Sequence, residues 1–136
     1  MIVQTTEFLL SETLHDGIVL GSEWQSLENP TRKALIVNVR FYIDEPDMKE
    51  RCFLSIEFDD VLSTETPWPK FDIFDFDLVN ESPLAFSMVD SVTGESVNVL
   101  CKDSHIHVDE VFLEYLRKYD RPILKCLQRV TNIRDL

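Results

Sequence analysis

ALIVNVRFYIDEPDMKERCFLSIEF, residues 34–58, is the stretch that decides the fold. From Ala34 to Ile43, Leu35, Val37, Val39 and Phe41 alternate with Ile36, Asn38, Arg40 and Tyr42, the two-residue period of a strand. DEPDMKE, around Pro46, reads as a polar turn. Arg51 to Phe58 then alternates again, with Cys52, Leu54, Ile56 and Phe58 on one face and Phe53, Ser55 and Glu57 on the other. Two such runs joined by a turn predict an antiparallel hairpin.

Downstream, the stretch from Ser55 to Ser82 carries eight acidic residues (Glu57, Asp59, Asp60, Glu65, Asp72, Asp75, Asp77 and Glu81) against one basic residue, Lys70. Phe71 to Val79 has strand periodicity, which places Phe74, Phe76 and Leu78 on a packed face and Asp75 and Asp77 on a solvated one. Pro67 and Pro69 bar the segment before it from a central strand, because neither has an amide to donate. Leu84–Ser91 and Glu95–Lys102 predict a further hairpin that turns at Val92-Thr93-Gly94.

The N-terminal twenty-five residues admit two readings. Asp16-Gly17 between apolar runs predicts a hairpin that pairs about 6–14 with 18–24. Phe8, Leu9, Leu10 and Leu14 followed by Gly17 would instead suit a short helix ended by glycine. Past Asp109 the period becomes helical: Val111, Phe112, Tyr115, Leu116 and Tyr119, with Asp109 as N-cap. A second short helix is expected after it, capped by Asp120, with Pro122 in its first turn and Ile123, Leu124, Leu127 and Val130 as its stripe. The fold class expected is therefore α+β: an antiparallel sheet of five to seven strands with a C-terminal broken helix on one face, formed by residues 1–136 as a single domain.

The 136 residues carry a formal charge of −12, and it is unevenly spread. Residues 55–109 hold twelve acids and two bases, whereas residues 110–136 hold four acids and six bases. That field repels phosphates and attracts cationic proteins, so a basic protein partner is expected, with no nucleic acid and no membrane. The start, MIVQTTEFLL, has no positive region ahead of its apolar residues, and no run reaches the ~20 apolar residues that span a bilayer. Cys52, Cys101 and Cys126 are odd in number and lack CxxC spacing, which suits reduced, packed thiols. The expected location is the cytoplasm.

Catalytic signatures are absent from the sequence. With 3 glycines there is no phosphate cradle, and no serine elbow occurs. Asp75-Phe76-Asp77-Leu78-Val79 is similar to the Asp-x-Asp motif of haloacid-dehalogenase-type phosphatases but lacks the Gly-Thr that follows it there. Cys101, Asp103, His105, His107 and Asp109 alternate along CKDSHIHVD, and His-x-His suits zinc or copper. With Asp109 as helix cap, and Ile106 and Val108 supplying the buried face, both histidines are expected to be exposed, and no cofactor or metal is expected. His15 is expected in a turn without a partner.

Binding is the class that remains. Carboxylates beside Trp68, Phe71 and Phe86 have the composition of an anchor patch, in which aromatics give desolvated contact and charges steer the encounter. The partner-binding residues expected are Glu57, Asp59, Asp60, Trp68, Phe71, Asp72, Asp75 and Asp77, with Trp68 as anchor. In size, acidity and lack of catalytic motifs the chain resembles the small immunity proteins of bacterial toxin systems, including those of contact-dependent inhibition. That resemblance implies a cytosolic, non-enzymatic inhibitor that covers a basic nuclease toxin. Alternatives are a nucleic-acid mimic that blocks a DNA- or RNA-binding protein, and a chaperone similar to the acidic SecB type.

Overall fold

Alternation from residue 33 to residue 59 builds the longest hairpin of the molecule. In the computed structural model, which describes residues 2–27, 32–65 and 68–123, strand β3 (Lys33–Glu45) pairs with β4 (Met48–Asp59) from Ala34↔Asp59 to Glu45↔Met48. Only Pro46 and Asp47 lie between the strands, so the turn is tighter than DEPDMKE suggested. Cys52, Leu54, Ile56 and Phe58 face the core as expected. The remaining elements are β1 (Ile2–Gln4), α1 (Thr5–Ser11), β2 (Ile18–Ser26), β5 (Ser63–Thr64), β6 (Phe71–Glu81), β7 (Leu84–Asp90), β8 (Ser96–Cys101), β9 (Asp103–Val108) and α2 (Glu110–Lys118).

The strands form one antiparallel sheet in the order β1-β9-β4-β3-β2-β6-β7-β8-β5. Nine strands, rather than five to seven, are present among the described residues. Strands β9 and β8 stand second and eighth in that order, yet only Lys102 separates them in sequence, so the sheet must curl until its two halves meet. Lys102 marks the meeting point, where its backbone N–H donates to Asp59 O at 3.0 Å. Phe58 sits in the fold of the curl, with its ring centroid 6.0 Å from Trp68, 6.5 Å from Phe76 and 5.8 Å from Phe86.

The expected N-terminal hairpin is not formed. Thr5–Ser11 is a short helix, which holds Phe8, Leu9 and Leu10 of the alternative reading but stops at Glu12, before Leu14 and Gly17. Phe8 is fully buried against Phe112 (6.0 Å) and the Thr5 hydroxyl lies 2.7 Å from Ser104 Oγ. Asp16 takes the left-handed conformation (φ 68°) and Asp16-Gly17 docks on β6: Asp16 N–H donates to Ile73 O, and Ile73 N–H to Gly17 O. A Cβ on Gly17 would lie 3.0 Å from Leu14 O and 3.1 Å from Val39 Cγ1, which explains glycine there. The 84–91/95–102 hairpin is formed, and Gly94 supplies the positive φ (74°).

Helix α2 buries Phe112, Leu113, Tyr115 and Leu116 and is capped as expected: Asp109 Oδ1 accepts from Phe112 N–H at 2.8 Å, and Oδ2 accepts from Phe53 N–H at 2.9 Å. Of the second helix, Leu124, Leu127 and Val130 lie outside the described residues, as does Cys126. Arg121 reaches back to Glu12 in a two-pronged pair (2.8 and 3.0 Å), which ties the end of α1 to the segment after α2. Cys52 and Cys101 are buried free thiols, each pushed up to about 12 by burial, in keeping with the expected packed cysteines.

Facing on β4 has a measurable consequence. Phe58→Ala should cost about 3–5 kcal/mol in urea unfolding, whereas Phe53→Ala, one face over and half exposed, should cost under about 1 kcal/mol. Equal losses would mean that the two faces of β4 have been assigned wrongly.

Candidate functional site

Two groups of carboxylates emerge from the acidic middle of the chain, and the structure treats them in opposite ways. The first lies on β6. A register shift between Ile73 and Asp75 swaps the facing of this strand part-way along. Phe71 and Ile73 point inward before it, Phe76 after it. Phe74 therefore does not share a face with Phe76; it is 55 % exposed, with the His15 ring edge-on to it at 5.5 Å. His15 accordingly has partners, including Phe74 O at 2.6 Å from Nδ1.

Asp72 and Asp77 are exposed on this strand and Asp75 is half-buried. A side-chain hydrogen bond with Asp75, then burial and the neighbouring charge, pushes the Asp77 carboxyl above the usual carboxylate range. Val79, 65 % exposed, extends the same strand. Trp68, Phe71 and Phe86, expected as surface anchors, are in the core instead. The Trp68 ring packs on Phe58 and its indole N–H donates to Thr64 Oγ1 at 3.0 Å, so the side chain satisfies itself internally. Asp60 is held by Arg32 in a two-pronged pair (2.9 and 2.8 Å), whose hydrogen bonds lower its carboxyl.

The second group lies where β4 meets β9. Burial of Phe58 turns Glu57 and Asp59 to the opposite face, and the β4/β9 register sets Glu57 across from His105 and Asp59 across from Asp103. Strand β9 does continue through His107, so Asp103, His105 and His107 share a face, while Cys101 belongs to β8 and Asp109 to the helix cap. The expectation of two exposed histidines fails at His105, which is 2 % exposed beneath the Gln4 side chain.

His105 Nδ1 stands 3.4 Å from Asp59 Oδ2 and 3.7 Å from Glu57 Oε2; Nε2 stands 3.4 Å from Asp103 Oδ2. His107 Nε2 lies 3.3 Å from Glu57 Oε1. Hydrogen bonding to His105 and then His107 holds the Glu57 carboxyl well below its usual range. Asp59 shifts the other way, because burial outweighs the pull of His105. One end of the cluster opens to solvent through a groove of about 260 Å³ lined by Glu23, Asn38, Ser55, Glu57 and His107.

Glu57 and Asp59, expected at a partner surface, are thus engaged with histidines. Gln4, Thr5 and Ser104, which support the cluster, were missed by sequence reasoning. Ser104 donates to Glu57 O at 3.0 Å, which leaves Thr5 to donate to Ser104. Only strand register brings these residues together, and no local pattern carries it.

Because Glu57 is depressed in the folded protein, its contribution to stability is present above the ordinary glutamate range, ~pH 4.3, and is lost as pH falls towards the lower folded value. Glu57→Gln should therefore melt lower than wild type at pH 7, and the gap should close in melting curves taken below about pH 4. A gap that widened in acid would contradict the assignment.

Among the described residues no helix is long and apolar enough to cross a membrane. Comparison with protein-family models, with curated proteins and with solved structures found no match.

Proposed function

We propose that this chain is a non-enzymatic binding protein that offers the exposed strand β6 to a basic protein partner, in the manner of a cytosolic immunity protein neutralising a nuclease toxin. The observation that carries this reading is the outward face of β6, on which Asp72, Asp75 and Asp77 stand beside exposed Phe74 and Val79. Inside the chain other acids are matched: Glu12 with Arg121, Asp60 with Arg32, Glu57 with the histidines. Asp75 and Asp77 meet each other instead, and a lysine or arginine from a partner would supply the opposite charge on contact. Phe74 and Val79 supply the apolar area that charge alone does not.

A nuclease holds phosphates with a basic surface, and a fixed row of carboxylates is complementary to it. Opposed fields also speed association, which a neutraliser needs. The contact set follows from the facing of β6: Asp72, Phe74, Asp75, Asp77 and Val79, with Phe74 taking the anchor role first expected of Trp68.

The test is capture of the partner from native lysate followed by a kinetic series. Asp75→Asn/Asp77→Asn should slow association, with the difference shrinking as salt rises. Phe74→Ala should speed dissociation by roughly 2 kcal/mol. Glu50→Gln, exposed at the far end of β4 and away from β6, serves as control. Wild-type binding by both β6 variants would remove β6 from the interface.

A further inference from the structure

We propose that Glu57, Asp59 and His105 form a binding site for one divalent first-row cation with the ligand preferences of zinc. Ligand atoms from all three lie within 4.8 Å of one another. A tetrahedral ion with arms of about 2.1 Å has ligand–ligand edges of about 3.4 Å. The measured edges from His105 Nδ1 are 3.4 Å to Asp59 Oδ2 and 3.7 Å to Glu57 Oε2. Both are longer than the 2.7–3.2 Å of a good N–H···O bond and lie near the edge that an ion would set.

Asp59 supplies a second and independent observation. It is 9 % exposed, and its Oδ1 is buried with no hydrogen-bond partner among the described residues. A buried carboxylate oxygen left so is costly. Oδ2 is the oxygen that faces His105, so a cation held by both oxygens of this carboxylate would also satisfy Oδ1, and a divalent ion would balance Glu57 and Asp59 together.

The far side of His105 is arranged as a ligand histidine requires. When the Gln4 amide nitrogen donates to Asp103 Oδ1 and Ser104 O (3.2 Å each), its oxygen faces His105 Nε2 at 3.3 Å. With an ion bound, Nε2 would keep its proton and Nδ1 would turn its lone pair to the ion; without one, Nδ1 faces Glu57 and Asp59 as a donor. Such outer-shell acceptors fix the tautomer and orientation of metal-bound imidazoles. His107, bonded to Glu57 at the groove, stands at the entry path. No residue of the β6 face takes part, so this proposal and the partner proposal fail separately.

The experiment is calorimetric titration of Zn²⁺ into the chelator-stripped full chain, with melting curves alongside. Wild type should bind one equivalent and melt higher in its presence. Asp59→Asn and His105→Gln should each weaken binding about tenfold or more, while His15→Ala should bind as wild type. Glu57→Gln, whose side chain is a fifth exposed, provides the decision if the buried variants do not fold. A folded wild type that takes up no stoichiometric zinc would overturn the site. So would undiminished binding in whichever of these three ligand variants folds.

Discussion

Burial of Phe58 among Trp68, Phe76 and Phe86 sets the facing of every other residue on β4. It does so from the place where the curled sheet meets itself, next to the Lys102–Asp59 backbone bond. Because a strand alternates with period two, sinking Phe58 into the core puts Glu57 and Asp59 on the opposite face of the sheet. A slip of one residue would put the phenylalanine in water and two carboxylates in the core, so register is specified strongly here. Pairing of β4 with β9 then decides what the carboxylates meet, namely a buried imidazole.

Charge in this protein is handled locally rather than averaged. Glu12, Asp60 and Glu57 each have a cationic or imidazole partner, and for Asp60 and Glu57 that partner lowers the carboxyl. On β6 the acids meet each other instead, and Asp77 is raised. The same composition thus produces a cluster in which acids meet imidazoles between β4 and β9, and an outward strand on which acids meet each other. That contrast separates the two proposals made for the molecule. One concerns a cation held within the sheet, the other a cationic surface met from outside.

Much of the core was legible in the sequence. The β3–β4 hairpin, the β7–β8 hairpin and the Asp109-capped helix follow from periodicity and cap chemistry, which act over a few residues. What failed depends on partners far away in the chain. Strands β1 and β5, three and two residues long, are too short to show a period, and a break of one residue at Lys102 hides the step from β8 to β9. The register shift in β6 moved Phe74 outward against simple alternation. Asp16-Gly17 has hairpin chemistry, yet its backbone groups bond to Ile73, more than fifty positions on. The site was half visible: alternation placed Asp103, His105 and His107 on one face, but the burial of His105 comes from Gln4 and Glu57, on strands that no spacing rule connects to it.

The pairing of Glu57 with a buried His105 is tested most directly by the ring-nitrogen NMR spectrum of the metal-free protein, which reports the tautomer and the exchange of its proton. His105 should carry a ring proton that exchanges slowly with water, and its signal should shift on Glu57→Gln. His15 and His107, with side chains 49 % and 38 % exposed, should show fast-exchanging ring protons. A His105 proton that exchanges as fast as theirs, with a signal unmoved by Glu57→Gln, would contradict the β4/β9 register on which the site is built.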